Sequence, residues 1–485
     1  MSPLIILICV IAYSAMLFYV VWRSSRNADN ESYFIGNKSS KWYLVAYGMI
    51  GASLSGVTFM SVPGIVGTTN FSYMVLVFGY FFGYATIALV LLPLYYKMNL
   101  TSIYTYLENR FGFWSYKTGA FFFILSRTIG AAFRLYIVVN VLQLFVFDAW
   151  GVPFWLTVMS FIILILLYTY EGGVKTIVWT DTLQTTFMLF AVVISVFYIS
   201  NELNMGLFDL FGAIHEKGYD KMINTDWHSK TYFLKQFFGG MFISIAMTGL
   251  DQEMMQKNIS VRTLGDSQKN MFSFSIVLVF INFLFLCLGA LLFLYSTAKG
   301  ITLPVKSDDL FPIIALNHLG GVVGIIFIIG LISAAYPSAD GALTALTSSF
   351  CIDFLNFKKT NWTEEKKKKI RYIVHFSFAA ILLLVIIIFR IINDDAVISK
   401  LFTVASYTYG PLLGLFAYGI IAKRELKDKF VPIICLISPL VCYILNENSV
   451  HWFSNYKFGF ELLIVNGLIT FIGLSLISKP KAHKV

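Results

Sequence analysis

Two arginines seven residues apart, Arg127 and Arg134, fall inside a long apolar stretch of the sequence. Seven helical residues turn through about 700°, so both guanidiniums project from nearly the same side. A guanidinium matches a carboxylate through paired hydrogen bonds, which reads as a clamp for an anionic solute. The competing reading is that they pair with protein groups such as Asp181 or Asp340, or that the one nearer an end snorkels.

Ser333-Ala334-Ala335-Tyr336-Pro337-Ser338-Ala339-Asp340-Gly341 carries a different chemistry. Proline has no amide hydrogen, so the carbonyl of Ser333 loses its helical partner. Ala334, Ser338 and Gly341 share one helical face, with Pro337 flanking it. A free carbonyl beside a hydroxyl and a carboxylate is a ligand set for a hard cation; the bland reading is a kinked helix with a satisfied aspartate. Gly51-Ala52-Ser53-Leu54-Ser55-Gly56-Val57-Thr58 places two glycines and three hydroxyls near the middle of another apolar run. It reads as an unwound segment offering oxygens to a cation and a solute, or as small residues for close packing. Asp181, in Val178-Trp179-Thr180-Asp181 with Gln184 one turn on, is a further candidate, although Thr180 caps a helix equally well.

The elements that must position these groups follow from composition. The 485 residues are 58% hydrophobic and 13% charged, against about a quarter charged in soluble proteins. Mean hydropathy is +0.75. The hydrophobicity comes in blocks of the roughly 20 residues needed to cross a bilayer core, too long and too evenly apolar for barrel strands of about 10 residues. The chain therefore reads as an all-α membrane protein with about 13 transmembrane helices, approximately 3–22, 42–66, 72–96, 117–147, 153–170, 177–200, 232–256, 270–297, 320–350, 370–393, 399–421, 430–447 and 458–477. The first lacks the basic n-region and cleavage site of a signal peptide, and Arg23 and Arg26 follow it. With the N-terminus outside and the C-terminus in the cytoplasm, inner loops collect most of the 36 Lys and Arg.

The net charge of +10 is mostly this topogenic bias, and the run Lys366–Lys369 reads as a loop against anionic lipid rather than a nucleic-acid site. The five cysteines and six histidines show no metal spacing, and no phosphate loop or nucleophile motif is visible. Nothing points to covalent chemistry, so no enzyme is expected.

Ser55-Gly56-Val57-Thr58-Phe59-Met60-Ser61-Val62-Pro63, Leu100-Thr101-Ser102 and Tyr106 through Phe111 follow one another in order. Glu31-Ser32-Tyr33-Phe34 precedes them; Glu171-Gly172-Gly173-Val174, Val178 through Asp181 and Asp251 through Lys257 come after. In this order and spacing the chain resembles the sodium:solute symporter family, which includes sodium–galactose, proline and sialic acid transporters. The resemblance implies a LeuT-like fold, a 5+5 inverted repeat over 42–200 and 232–421. Residues 1–41 then form an extra N-terminal helix and loop, and 430–477 two extra helices.

The resemblance also implies a sodium site from carbonyls matching Gly51 and Leu54, with Ala334, Pro337 and Ser338 from the later helix. Many relatives have two adjacent hydroxyls where this chain has Pro337-Ser338. A second cation site would use Asp181 with Ser338, Asp340 and Gly341, where two carboxylates favour a cation or force one to hold a proton. The substrate pocket would match Ser53, Ser55 and Thr58, with Val77 at the place of a glutamine. The arginine of the sialic acid branch falls near Gly130, one turn from both Arg127 and Arg134.

The expected function is sodium-coupled import of a small polar solute, with an acidic sugar or other carboxylate as the leading candidate, across the cell membrane by alternating access. A neutral sugar or amino acid, proton coupling through Asp340, and a non-transporting sensor or channel are the alternatives. The expected partners are the solute, sodium and the lipid bilayer. The central expectation is that two helices lose their regularity, near Leu54 and near Pro337, and hold the ion between them.

Overall fold

The computed structural model describes residues 1–24, 40–169, 174–357, 359–392 and 396–480. Arg26 and the stretches Glu31–Phe34 and Glu171–Gly173 lie outside the described residues. Among the described residues the structure is almost wholly helical, with one pair of two-residue strands, Glu425–Leu426 and Ser478–Lys479.

The helices that matter here are α1 (Pro3–Ser24), α2 (Trp42–Ser53), α3 (Gly56–Thr69), α4 (Tyr73–Thr86), α5 (Phe113–Leu142), α6 (Phe154–Thr169) and α7 (Val174–Glu202). They are followed by α8 (Phe233–Ser244), α9 (Gln252–Ile259), α10 (Leu264–Lys299), α11 (Gly320–Ser349), α12 (Glu364–Ile392), α13 (Val397–Ile421), α14 (Val431–Trp452) and α15 (Leu462–Leu476). Among the described residues, 9 helical stretches are long and apolar enough to cross a bilayer; Phe233–Gly249 and Gln252–Ile259 form one more, bent by 66°.

One stretch, Gly56–Lys97, runs 42 residues. As one helix it would reach about 63 Å, twice a hydrocarbon core of about 30 Å. Asn70, with a positive φ of 50°, marks the turn between two passes. Two shorter apolar helices, Phe154–Leu167 and Leu462–Leu476, fall where the remaining expected spans lie.

Two spans are broken, and each stands at the start of an expected repeat. α2 ends at Leu54, whose ψ of 85° is not helical, and Ser55 is extended before α3 resumes. α8 continues through a wider turn to Gly249, then breaks at Leu250 before α9. Asp251 caps α9, its Oδ1 accepting from the amides of Glu253 at 2.9 Å and Met254 at 3.3 Å.

The second expected break is not there: α11 runs unbroken through Pro337. A proline in a membrane helix is tolerated where neighbouring elements support it, and here α1 packs on the turn before Pro337. Ser333 Oγ donates to the Tyr13 hydroxyl at 2.7 Å, and Ser14 Oγ meets the Tyr336 hydroxyl at 2.6 Å. α1 thus holds α11 at two points of the turn that leads into the proline.

α4 and α8 approach closely enough to exclude side chains. A Cβ on Gly79 would lie 2.1 Å from the Phe237 carbonyl oxygen, and one on Gly240 would lie 2.1 Å from that of Leu76. Small residues at such crossings let backbones meet where lipid supplies no hydrophobic drive between helices.

Candidate functional site

A helix leaves its last four carbonyls without partners inside the helix. In α2 the final such bond runs from the Leu54 amide to the Ile50 carbonyl at 2.7 Å, so the carbonyls after Ile50 face other elements. Arg134 takes one of them, Nη1 donating to the Ala52 oxygen at 3.3 Å.

A cavity of about 70 Å³ opens at this break. Ser53, Leu54, Ser55 and Thr58 line it, as do Arg127 and Arg134 of α5. Tyr73, Tyr80 and Tyr84 of α4 add hydroxyls from positions repeating at seven and four residues, one face of the helix. Val77 is a correction: it is fully buried and does not line the cavity, and the tyrosines supply the polar wall expected there. Asn282 of α10 also lines the cavity, and its Oδ1 has no hydrogen-bond partner.

The two arginines, alike in sequence, differ in surroundings. Arg127 is buried and committed to protein carboxylates: Nη2 pairs with Glu253 and Nη1 lies 3.9 Å from Asp251 Oδ2. The Tyr409 hydroxyl donates to the same Asp251 oxygen at 2.8 Å. Arg134 is half-buried, and among the described residues no carboxylate lies within 4.0 Å of it. Its Nε has no partner. Asp181 and Asp340, the partners weighed for these arginines, bind neither.

Asp181 instead accepts from Lys257 Nζ at 2.7 Å, and the same ammonium lies 3.2 Å from Glu253 Oε1. Asp181 Oδ1 is left without a partner. Asp340 Oδ1 accepts from the Gly341 amide at 2.6 Å. Gly341 stands against Glu253, since a Cβ there would lie 2.3 Å from Oε1. The expected second site is therefore bordered by three carboxylates and a lysine ammonium.

For the first cation, Gly51 packs against α7, a Cβ there falling 2.3 Å from Thr185 Oγ1 and 3.5 Å from the Asp181 carbonyl oxygen. Ala334, Pro337 and Ser338 are fully buried on α11, and α11 packs against both α2 and α7. Ser338 Oγ is buried without a hydrogen-bond partner. A buried hydroxyl left unpaired is costly, and a bound cation relieves that cost. The residues fit sodium: carbonyls freed at a helix end, one orphaned hydroxyl and no soft ligand.

Glu253 and Lys257 escaped the reading as site residues, although both lie in a stretch that carries the family resemblance. Their signal was an i,i+4 acid–base pair within a helix whose every residue is buried. A larger cavity of about 420 Å³ lies on the side of the loops near Ser72, Lys230 and Gly459. Tyr73 and Ile398 line both cavities, which makes them the partition between the two.

Residues 33–427 match the profile of the sodium:solute symporter family. The chain is 25% identical over 470 residues to the sodium/sialic acid symporter SiaT of Proteus mirabilis (strain HI4320), covering 94% of this chain and 92% of that one. It is 22% identical over 476 residues to the sodium/sialic acid symporter NanT of Aliivibrio fischeri (strain ATCC 700601 / ES114), covering 96% and 92%. The sodium-coupled monocarboxylate transporter 1 of Homo sapiens is 24% identical over 429 residues, covering 84% and 67%. Among solved structures, a Na+-coupled sialic acid symporter in a substrate-bound outward-open state superposes with a TM-score of 0.83 at 20% identity, covering 98% of this chain and 99% of that one.

Proposed function

The chain belongs to the sodium:solute symporter family, and on that premise we propose that its solute is a small anion, an acidic sugar or other carboxylate. As a family member it is a sodium-coupled, multi-pass membrane transporter and not an enzyme. The observation that carries the anionic solute is Arg134: a guanidinium at the cavity wall, bonded to one carbonyl and facing no carboxylate among the described residues. Arg127 is already neutralised by Glu253 and Asp251 and has no charge to spare for a ligand. The relatives named for sialic acid and for monocarboxylates agree with a carboxylate, which a guanidinium holds with two parallel bonds.

In this reading Arg134 gives up Ala52 for the solute carboxylate. Ser53, Ser55 and Thr58 hold hydroxyls of the solute. Sodium binds between the carbonyls of Gly51 and Leu54 and the Ala334–Ser338 turn, joining α2 to α11. It drives the cycle by binding one arrangement of these helices more tightly than the other. Sodium then raises solute affinity and solute raises sodium affinity by the same factor.

The Lys/Arg bias supports an orientation with the 420 Å³ vestibule and the N-terminus outside and the C-terminus in the cytoplasm. The solute would pass Tyr73 and Ile398 to reach the break. The inward membrane potential adds about 2.3 kcal/mol per charge at 100 mV. Five-helix repeats over 42–200 and 232–421 would supply the rocking units, each opening on its broken span.

A thermal-shift screen of sugars, sugar acids and amino acids on the purified chain, with and without sodium, tests this. The expected result is stabilisation by a carboxylate-bearing solute when sodium is present. Stabilisation by neutral sugars alone would defeat the anionic reading.

A further inference from the structure

We propose that Lys257 is a tethered cation that takes the place of a second sodium, so that the chain binds a single sodium ion. The inference rests on the sodium-coupled reading above and deepens it by setting the number of ions. Its basis is the polar core between α7, α9 and α11.

Lys257 extends from α9 and sets its ammonium 2.7 Å from Asp181 Oδ2 and 3.2 Å from Glu253 Oε1. Both carboxylates and the lysine are buried. An ammonium is a compact point charge with three donors and no acceptor, so it meets carboxylates much as a small cation does. Gly341 has no Cβ, which lets Glu253 come against α11 beside the lysine.

Proximity to the ammonium, rather than a total of charges, is what limits a mobile ion beside Asp181. Arg127 answers one of the two carboxylates at the α9 N-terminus, Asp251 and Glu253. Lys257 answers Asp181, and a second cation beside it would face the ammonium at close range. Like charges in a medium of low polarisability repel strongly. A lysine cannot leave with the solute, whereas a sodium ion can. The residue therefore stabilises the fold as a bound ion would, yet carries no charge across the membrane.

Asp181 Oδ1 has no partner, so this carboxylate is the point at which a sodium ion would attach once the lysine is gone. Lys257→Met should open that second site. The neutral pair Asp181→Asn with Lys257→Met removes both charges together and should restore a single ion.

The test is equilibrium binding of radioactive sodium to the purified full-length chain, with the thermal midpoint followed against sodium concentration. The expected counts are one sodium per chain in the wild type, two in Lys257→Met and one in the double variant. Two sodium ions in the wild type would overturn the inference and leave sodium coupling standing. No sodium in the wild type would remove the coupling reading and the inference with it. One ion in a folded Lys257→Met, or none in the double variant, would also overturn it, the latter by assigning Asp181 to the first site. If Lys257→Met does not fold, Lys257→Gln takes its place: two sodium ions support the inference and one overturns it.

Discussion

Arg134 Nη1 reaches the carbonyl oxygen of Ala52 at 3.3 Å, two residues before the backbone leaves helical geometry at Leu54. The contact ties the cation at the cavity wall to the broken helix whose carbonyls are proposed to hold sodium. A solute that draws the guanidinium away would loosen the same segment, which gives ion and solute a physical route to one another.

Arg134→Ala should weaken solute binding by about 10- to 100-fold, the range of a charge-assisted hydrogen bond at about 1.5–3 kcal/mol. The thermal midpoint without solute should change little. Calorimetric titration of the best solute from the screen measures it. An unchanged affinity would show that the carboxylate is held elsewhere.

Arg127→Met should behave in the opposite way. Removing it leaves Asp251 buried without a cation and Glu253 with Lys257 alone, and breaking a buried pair costs about 3–5 kcal/mol. A large fall in the thermal midpoint is expected, partly recovered by adding Glu253→Gln. A variant that stays as stable as wild type but loses solute would return Arg127 to the clamp.

Ser338→Ala removes the orphaned hydroxyl and should raise the sodium concentration for half-maximal stabilisation several-fold. Solute affinity at fixed sodium should fall with it, because the coupling is reciprocal. A sodium titration followed by thermal shift reads this. No change would mean that Ser338 does not touch the ion.

Withdrawing sodium should lower the stability of the wild type. Binding to the folded state contributes about 2.7 kcal/mol at a concentration 100 times Kd. Replacing sodium by choline at constant ionic strength should therefore lower the midpoint by several degrees, and potassium should not restore it.

Ile398→Cys tests the partition. Four native cysteines are buried and Cys9 is half-buried, so the background reaction is low. A membrane-impermeant thiol reagent added outside should label the new cysteine, and more slowly when solute and sodium are present. Labelling from the cytoplasmic side instead would invert the topology proposed here.

Much of the architecture was legible in one dimension, because a bilayer demands long apolar helices whatever their neighbours. The break at Leu54 was legible too, since two glycines and three hydroxyls in an apolar run serve a bundle poorly unless oxygens are needed. The break at Leu250 was not: a single glycine before an aspartate looked like an ordinary span, and the 66° bend came from packing and from the Asp251 cap. Pro337 erred the other way. The missing amide was certain, but whether the helix opens there was left to its packing, which includes hydroxyl contacts with Tyr13 and Ser14 of a distant helix.

The kinds of group present, and their burial, were settled by sequence alone: arginines and aspartates in stretches that must lie in lipid cannot be idle. Which cation faces which anion was left to the tertiary structure. Arg127 and Arg134 differ by two turns of one helix, yet contact with α9 neutralises the first, while the second meets the Ala52 carbonyl and no carboxylate among the described residues. Lys257 and Asp181 are 76 residues apart. Ion pairing falls off over a few ångströms, a scale on which chain separation carries no information until the helices are packed.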